Sequence, residues 1–557
     1  MYFFVWYLNL PLGELITYFF SVKFIKKSIS TKGTLILTNN KVQSGLTSKK
    51  TPVYKLFSNG TLPLCLLASV WSAYLFWSIP PIWNSYDSYL LIDTPLKSFV
   101  IPHWTPLYPL FLKFFWLHFD FLSFNVKLYA IIFTQHILFI ASVIVFSTIV
   151  TKHVIKKIVI MLIFLLNPLF GLMVHGIYTE SVFLSLIIFI TGLSIKIVTD
   201  ENPRKSIWLS YFVVLFLACL TRHDGPISAS ILLVLLLCFL IKDVINLKSK
   251  WKITGIRHAK VILITLTLSC VIIFLSNLSF QLICNLAGAD YYQRFGRAIN
   301  YHIASAKLRS LPKSEFEAIV KQIEDMTVDP WVRNSVRTLL GCDNPWLGCF
   351  SRIKKVLTLY KYNSNLAKSS RELRIEGTMI MNQIGFLYIK SLNKYYIRQT
   401  KQFFKQFLMT SGIQLFSKQM INTSLNSLEL YNRPPVPRDS YSLVPYNLIC
   451  LDQKNIKRYE NFKTSGYIRV STILDYFLRL YIFIPIILIA YFMSFLKGNS
   501  LPVIISLIIS IIIYSLMISA VKGYMWRSSL YNYVCLSASF CYFIEQLKIK
   551  GVSLTKT

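Results

Sequence analysis

The feature that most limits what this chain can become is its long runs without charge. Apolar blocks of roughly 16–25 residues recur along it, the length of helix that crosses a hydrocarbon core about 30 Å thick. They predict ten spans, near 60–80, 128–149, 158–174, 178–196, 207–221, 226–241, 261–284, 474–496, 501–521 and 528–547. A soluble chain of 557 residues would instead divide into several separately cored domains with its apolar residues spread out. The pattern excludes a soluble enzyme, a disordered chain, a coiled coil and a disulfide miniprotein. Residues 1–20 form a further apolar stretch, interrupted by Pro11 and Glu14. With no basic segment ahead of it, it reads as an interfacial helix or extra anchor rather than a signal peptide.

The chain carries 59 Lys and Arg against 24 Asp and Glu, a net charge of +35. In a soluble protein that excess would point to nucleic acid. In a membrane chain it sets orientation and meets anionic headgroups, so membrane lipids are the expected partner and nucleic acid is not. With residues 21–58 placed inside and the spans alternating from there, the inner segments hold 24 Lys and Arg and the short outer ones only 6. That asymmetry is what cytoplasmic loops show. The reading divides the chain into a basic N-terminal segment (1–58), a transmembrane module (59–285), an outer domain (286–470) and a C-terminal transmembrane module (471–557).

The outer domain holds 28 Lys and Arg and 13 Asp and Glu. Apolar residues three and four apart over 302–325 and 372–407 predict that it is mainly helical. Pro434, Pro435 and Pro437 mark an irregular turn. Cys284, Cys342, Cys349 and Cys450 fall on the outer side, where Cys342 and Cys349 either pair or stay as thiols. The fold class is an all-α polytopic membrane protein.

Charge at a span's edge is costly and usually purposeful. Three places stand out, all on the outer side under this topology. The loop over 80–115 contains Asp87, Asp93 and His103, then Tyr108. The short turn His175-Gly-Ile-Tyr-Thr-Glu180-Ser181 follows, and then Thr221-Arg222-His223-Asp224-Gly225. Two carboxylates and a cation on one face can serve a phosphate-bearing lipid substrate, with a carboxylate as base and the cation on the departing phosphate. Asp87 and Asp93 also fit solvated loop positions, Glu180 a helix cap, Arg222 a snorkelling end residue, and His223 with Asp224 a local ion pair. His103 and His175 read as packing residues. No pair of histidines has metal-ligand spacing, and Asp87 and Asp93, six apart, form no DxD motif. No phosphate loop, GxSxG, HExxH or GxGxxG is present.

Tyr86-Asp87-Ser88-Tyr89, then Trp104-Thr105-Pro106-Leu107-Tyr108-Pro109, then Asn167-Pro168 with Tyr178-Thr179-Glu180-Ser181-Val182-Phe183, and finally Leu220-Thr221-Arg222-His223-Asp224-Gly225 stand in an order that resembles the GT-C superfamily of polytopic lipid-dependent glycosyltransferases. The likeness is to the second mannosyltransferase of GPI-anchor synthesis and to the protein O-mannosyltransferase group, and covers roughly residues 60–240. The chain departs from these in having Tyr86 where Trp is frequent, and Asp87-Ser88 where the O-mannosyltransferases have an Asp-Glu pair.

The resemblance implies a GT-C-like bundle and a polyprenyl- or dolichyl-phosphate sugar donor, with mannose as the candidate sugar. The acceptor would be a lipid, glycan or protein, and the reaction a single inverting displacement. It implies Asp87 as base, Glu180 as a positioning carboxylate, and Arg222 with Arg527 on the lipid phosphate. His103, Tyr108, Tyr178, His223 and Asp224 would line the substrate. No cofactor is expected, and the missing second acid beside Asp87 speaks against a metal. The membrane would be a bacterial cell membrane or, in a eukaryote, that of the endoplasmic reticulum. A polysaccharide polymerase or ligase and a lipid-linked sugar flippase stay open as alternatives.

Overall fold

The computed structural model of the chain describes residues 61–78, 105–119, 121–200, 202–246, 251–286, 312–327, 333, 336, 383–390, 393–409, 461, 466, 469, 500–521 and 530–546. Among them the regular structure is helical throughout. The elements are α1 (Thr61–Ser78), α2 (Leu107–His118), α3 (Phe124–Val150), α4 (Val154–Leu165), α5 (Pro168–Val174), α6 (Thr179–Thr199), α7 (Lys205–Thr221), α8 (Ala229–Asn246), α9 (Trp251–Leu286), α10 (Lys313–Met326), α11 (Asn393–Met409), α12 (Ser500–Val521) and α13 (Leu530–Gln546). A 3₁₀ turn, Gly225–Ser228, leads into α8. The expected span 474–496, the stretch 1–20, Asp87, Asp93, His103, Arg527, Cys342, Cys349, Cys450 and the proline turn lie outside the described residues.

Among the described residues, five segments are long and apolar enough to cross a membrane: Val126–Val150, Thr179–Thr199, Gly225–Lys242, Lys260–Cys284 and Pro502–Ala520. The helices over Leu62–Ser78 and Lys205–Thr221 are apolar but shorter. Their surroundings separate them. In α6, 72% of the span is buried, against α3, α7, α8 and α13, which makes it the central helix. In α9 only 17% is buried. The face of α9 turned to the protein carries Thr265, Ser269, Ser276, Phe280 and Cys284, while Leu263, Leu266, Phe274, Leu278 and Leu282 point outward. A helix with small polar groups inward and leucines outward is the reverse of a soluble core helix. It is at rest only where the outer solvent is itself apolar. Cys284, read as an outer-side cysteine, is buried near the end of α9.

The block 158–174 is not one helix. Helix α4 stops at Leu165, and α5 begins at Pro168. Pro168 has no backbone N–H to continue the helical ladder and disfavours helical backbone at Asn167 before it. Asn167 then caps the new helix, its side-chain oxygen accepting from the Leu169 N–H at 3.1 Å. A hydropathy window cannot see this break, because both halves are equally apolar. At the opposite end of the bundle Lys156, at the start of α4, pairs with Glu545, at the end of α13, and its Nζ also donates to the Glu545 backbone carbonyl. The charge pattern places both of these ends inside. The described parts of 286–470 are helical as expected. Arg398 of α11 pairs with Glu315 of α10, and the Tyr396 hydroxyl donates to the Ala520 carbonyl at the end of α12, 3.3 Å away.

Candidate functional site

The turn between α5 and α6 is the structural centre of the site. The sequence reads it as a short turn, and His175, Gly176, Ile177 and Tyr178 are all buried in it. Irregular backbone buried at a membrane protein's heart needs partners for its carbonyls, and side chains supply them. The Gln135 amide, from the middle of α3, donates to the carbonyls of Val174 and Gly176 at 2.9 and 3.0 Å. Ser181 donates to the carbonyls of Gly176 and Tyr178. The Tyr108 hydroxyl of α2 donates to Gln135 Oε1 at 2.8 Å. Burial pushes the Tyr108 hydroxyl well above the usual tyrosine range, and the nearby Glu180 charge adds to the shift. Gly176 is required because the ring of Tyr178 lies where a Cβ would stand. The motifs around Tyr108 and Tyr178 therefore meet in one hydrogen-bonded unit.

His175 belongs to a second chain through the same turn. Its Nδ1 lies 3.2 Å from His136 Nε2, and His136 Nδ1 lies 2.8 Å from the Ser72 hydroxyl of α1. Trp71 and Phe76 pack on the His136 ring. His175 is a packing residue, as read from the sequence, and a hydrogen-bonded one.

Beside this turn, at the start of α6, stands Glu180, only 4% exposed. It is in the first turn of its helix and faces Arg222, which directly follows α7. Arg222 Nη1 pairs with Glu180 Oε1. Its Nε and Nη2 reach the two oxygens of Asp224 at 2.7 and 3.2 Å. The Thr179 hydroxyl donates to the second Glu180 oxygen at 2.9 Å, and the Phe183 ring lies 5.4 Å under the guanidinium carbon. Asp224 takes a further bond from the Tyr514 hydroxyl of α12, at 3.0 Å. Tyr514 is stacked on Tyr531 of α13 at 4.1 Å, and the Tyr531 hydroxyl is 3.1 Å from Ser230. Burial alone would lower the Arg222 pKa, but Asp224 and then Glu180 outweigh it and hold the guanidinium above its ordinary value. Gly225 lets the chain fold back here, since a Cβ would strike the Ala218 carbonyl and lie 2.8 Å from the Cys219 Cα.

Of the residues expected at the site, Glu180, Arg222 and Asp224 form one buried cluster, and Tyr108 and Tyr178 form the adjoining turn. Asp224 pairs with Arg222, and His223 is half-buried. The sequence reading missed Gln135, His136, Tyr514 and Tyr531. A signal existed for the first two, as Gln135-His136 is a polar pair at mid-span, a place where polar groups are rarely idle. None existed for the tyrosines, which are ordinary in apolar helices. Among the described residues, no cluster of three or more His, Cys, Asp or Glu is arranged to hold a metal ion.

Fold and site define a helical, multi-pass membrane protein with a buried Glu-Arg-Asp cluster at one set of helix ends. Compared with protein-family models, with curated proteins and with solved structures, the chain matches none.

Proposed function

We propose that the chain is a membrane glycosyltransferase of the GT-C type, with about ten spans, that moves a sugar from a polyprenyl- or dolichyl-phosphate to an acceptor at the outer face. The observation that supports this reading is the convergence of Glu180 and Arg222, 42 positions apart, beside the Tyr108–Tyr178 turn. Three motifs far apart in the sequence thereby contribute to one locality.

In this reading Asp87 takes the acceptor's proton while the hydroxyl attacks the anomeric carbon and the lipid phosphate departs. The three bonds from Arg222 to Glu180 and Asp224 engage three of its five N–H groups. The other two are left to meet the phosphate, whose charge grows as the bond breaks. One guanidinium between two carboxylates is net negative, so an anionic leaving group calls for a second cation, the role given to Arg527. Glu180 and Asp224 act as positioning residues that hold the guanidinium plane.

Turnover of a polyprenyl-phosphate mannose by the purified protein in liposomes tests the reading. Asp87→Asn should lower turnover by ~10²–10⁴-fold with donor binding retained, because only the proton acceptor is lost. Asp93→Asn should change it little. Equal losses at Asp87 and Asp93 would indicate a metal-binding pair, and full activity in Asp87→Asn would remove the proposed base.

A further inference from the structure

Helix α11 has a face that the proposed reaction does not use. Lys394, Arg398, Lys401 and Lys405 recur at helical spacings of four, three and four, so they share one side along about 16 Å of helix. All four are exposed, whereas Gln399 and Phe403 on the opposite side are buried. The helix contains no acidic residue. Glu315 answers Arg398 alone, which leaves three lysines to set the charge of the face, with Lys390 just upstream.

The position of the helix says what such a face meets. The Tyr396 hydroxyl bonds the carbonyl of Ala520, the last residue of the span Pro502–Ala520. That contact holds α11 where a hydrocarbon core gives way to headgroups. Two apolar side chains are exposed beside cations: Ile397, next to Arg398 on α11, is 49% exposed, and Phe386, just upstream, is 51% exposed with Lys390 Nζ 5.8 Å from its ring centre. Beside a soluble polyanion they would stay wet. At a bilayer surface they sink into the acyl boundary while the lysines stay with the phosphates.

We infer that this lysine face of α11 is a docking surface for anionic lipid headgroups. Each lysine near an anionic surface contributes about fivefold in affinity, so three amount to ~100-fold.

The test measures binding of a fluorescent phosphatidylglycerol to the full chain in neutral maltoside micelles, with phosphatidylcholine for comparison and heparin and inorganic phosphate as competitors. The wild type should prefer phosphatidylglycerol and lose that preference as NaCl rises. Lys394→Gln, Lys401→Gln and Lys405→Gln together should weaken phosphatidylglycerol binding by ~100-fold. Ile397→Ser should weaken it by about tenfold with its salt dependence unchanged. The wild-type salt series and Ile397→Ser keep the test valid if the triple variant folds poorly. Undiminished binding by a well-folded triple variant overturns the proposal. So does displacement of the lipid by heparin or phosphate together with a silent Ile397→Ser, since the face would then serve a soluble anion.

Discussion

Arg222 supplies the guanidinium that both buried carboxylates pair with, and the consequences of removing it follow from that. Arg222→Ala leaves Glu180 and Asp224 buried without their counter-charge, which should destabilise the protein by about 3–5 kcal/mol. Asp224→Asn should cost less, because Glu180 still answers the guanidinium. Tyr514→Phe removes one hydrogen bond to a charged group, worth roughly 1.5–3 kcal/mol. Melting temperatures of the three variants in one detergent would give that order; a Tyr514→Phe loss as large as that of Arg222→Ala would mean that the tyrosine, not the arginine, organises the cluster. Tyr108 supplies a pH dependence. Its folded hydroxyl ionises well above the unfolded value of about 10, so its contribution is whole below pH 10 and is lost as the pH rises beyond it. Tyr108→Phe should therefore lose less of its melting temperature between pH 8 and pH 11 than the wild type does.

The turn between α5 and α6 depends on neighbours far along the chain. Gln135→Leu leaves the Val174 carbonyl buried without its side-chain donor, costing about 1–3 kcal/mol, and leaves the Gly176 carbonyl to Ser181. Its effect should appear as faster amide exchange across 174–181 before any change elsewhere; exchange rising evenly over the bundle would show that the turn does not depend on this bond. Gly225→Ala should shift the start of α8 away from the end of α7, parting Arg222 from Asp224, because the obstructing atoms are backbone and cannot yield as a side-chain tip could. Most helices were legible beforehand, since a run of apolar residues in hydrocarbon has little choice but to close its backbone bonds within itself. The break at Asn167-Pro168 was legible as a motif but not as an interruption. Hydropathy averages over a window, whereas the break depends on one missing N–H and one capping side chain.

For the whole protein, the charge pattern and the packing agree about which helix ends lie together. Lys156 meets Glu545 at one set of ends, and Glu180 meets Arg222 at the other. An engineered cysteine at position 250, in a background without other cysteines, should accordingly resist an impermeant reagent applied from outside. Labelling there would overturn the orientation and the outer-face chemistry with it. The membrane class follows from composition along the chain, because apolar length against bilayer thickness is a one-dimensional comparison. The candidate positions at Glu180, Arg222 and Asp224 were visible for a related reason, as charge beside an apolar run stands out locally. Which of them pair, and with what, was settled only by the packed structure. Arg222 could have reached headgroups rather than Glu180 and Asp224. The outcome turned on α12 bringing Tyr514 to Asp224 and on α3 bringing Gln135 and His136 to a turn some 40 residues away. Partners of that kind are chosen by how helices cross, and helical periodicity carries no record of which residue stands opposite.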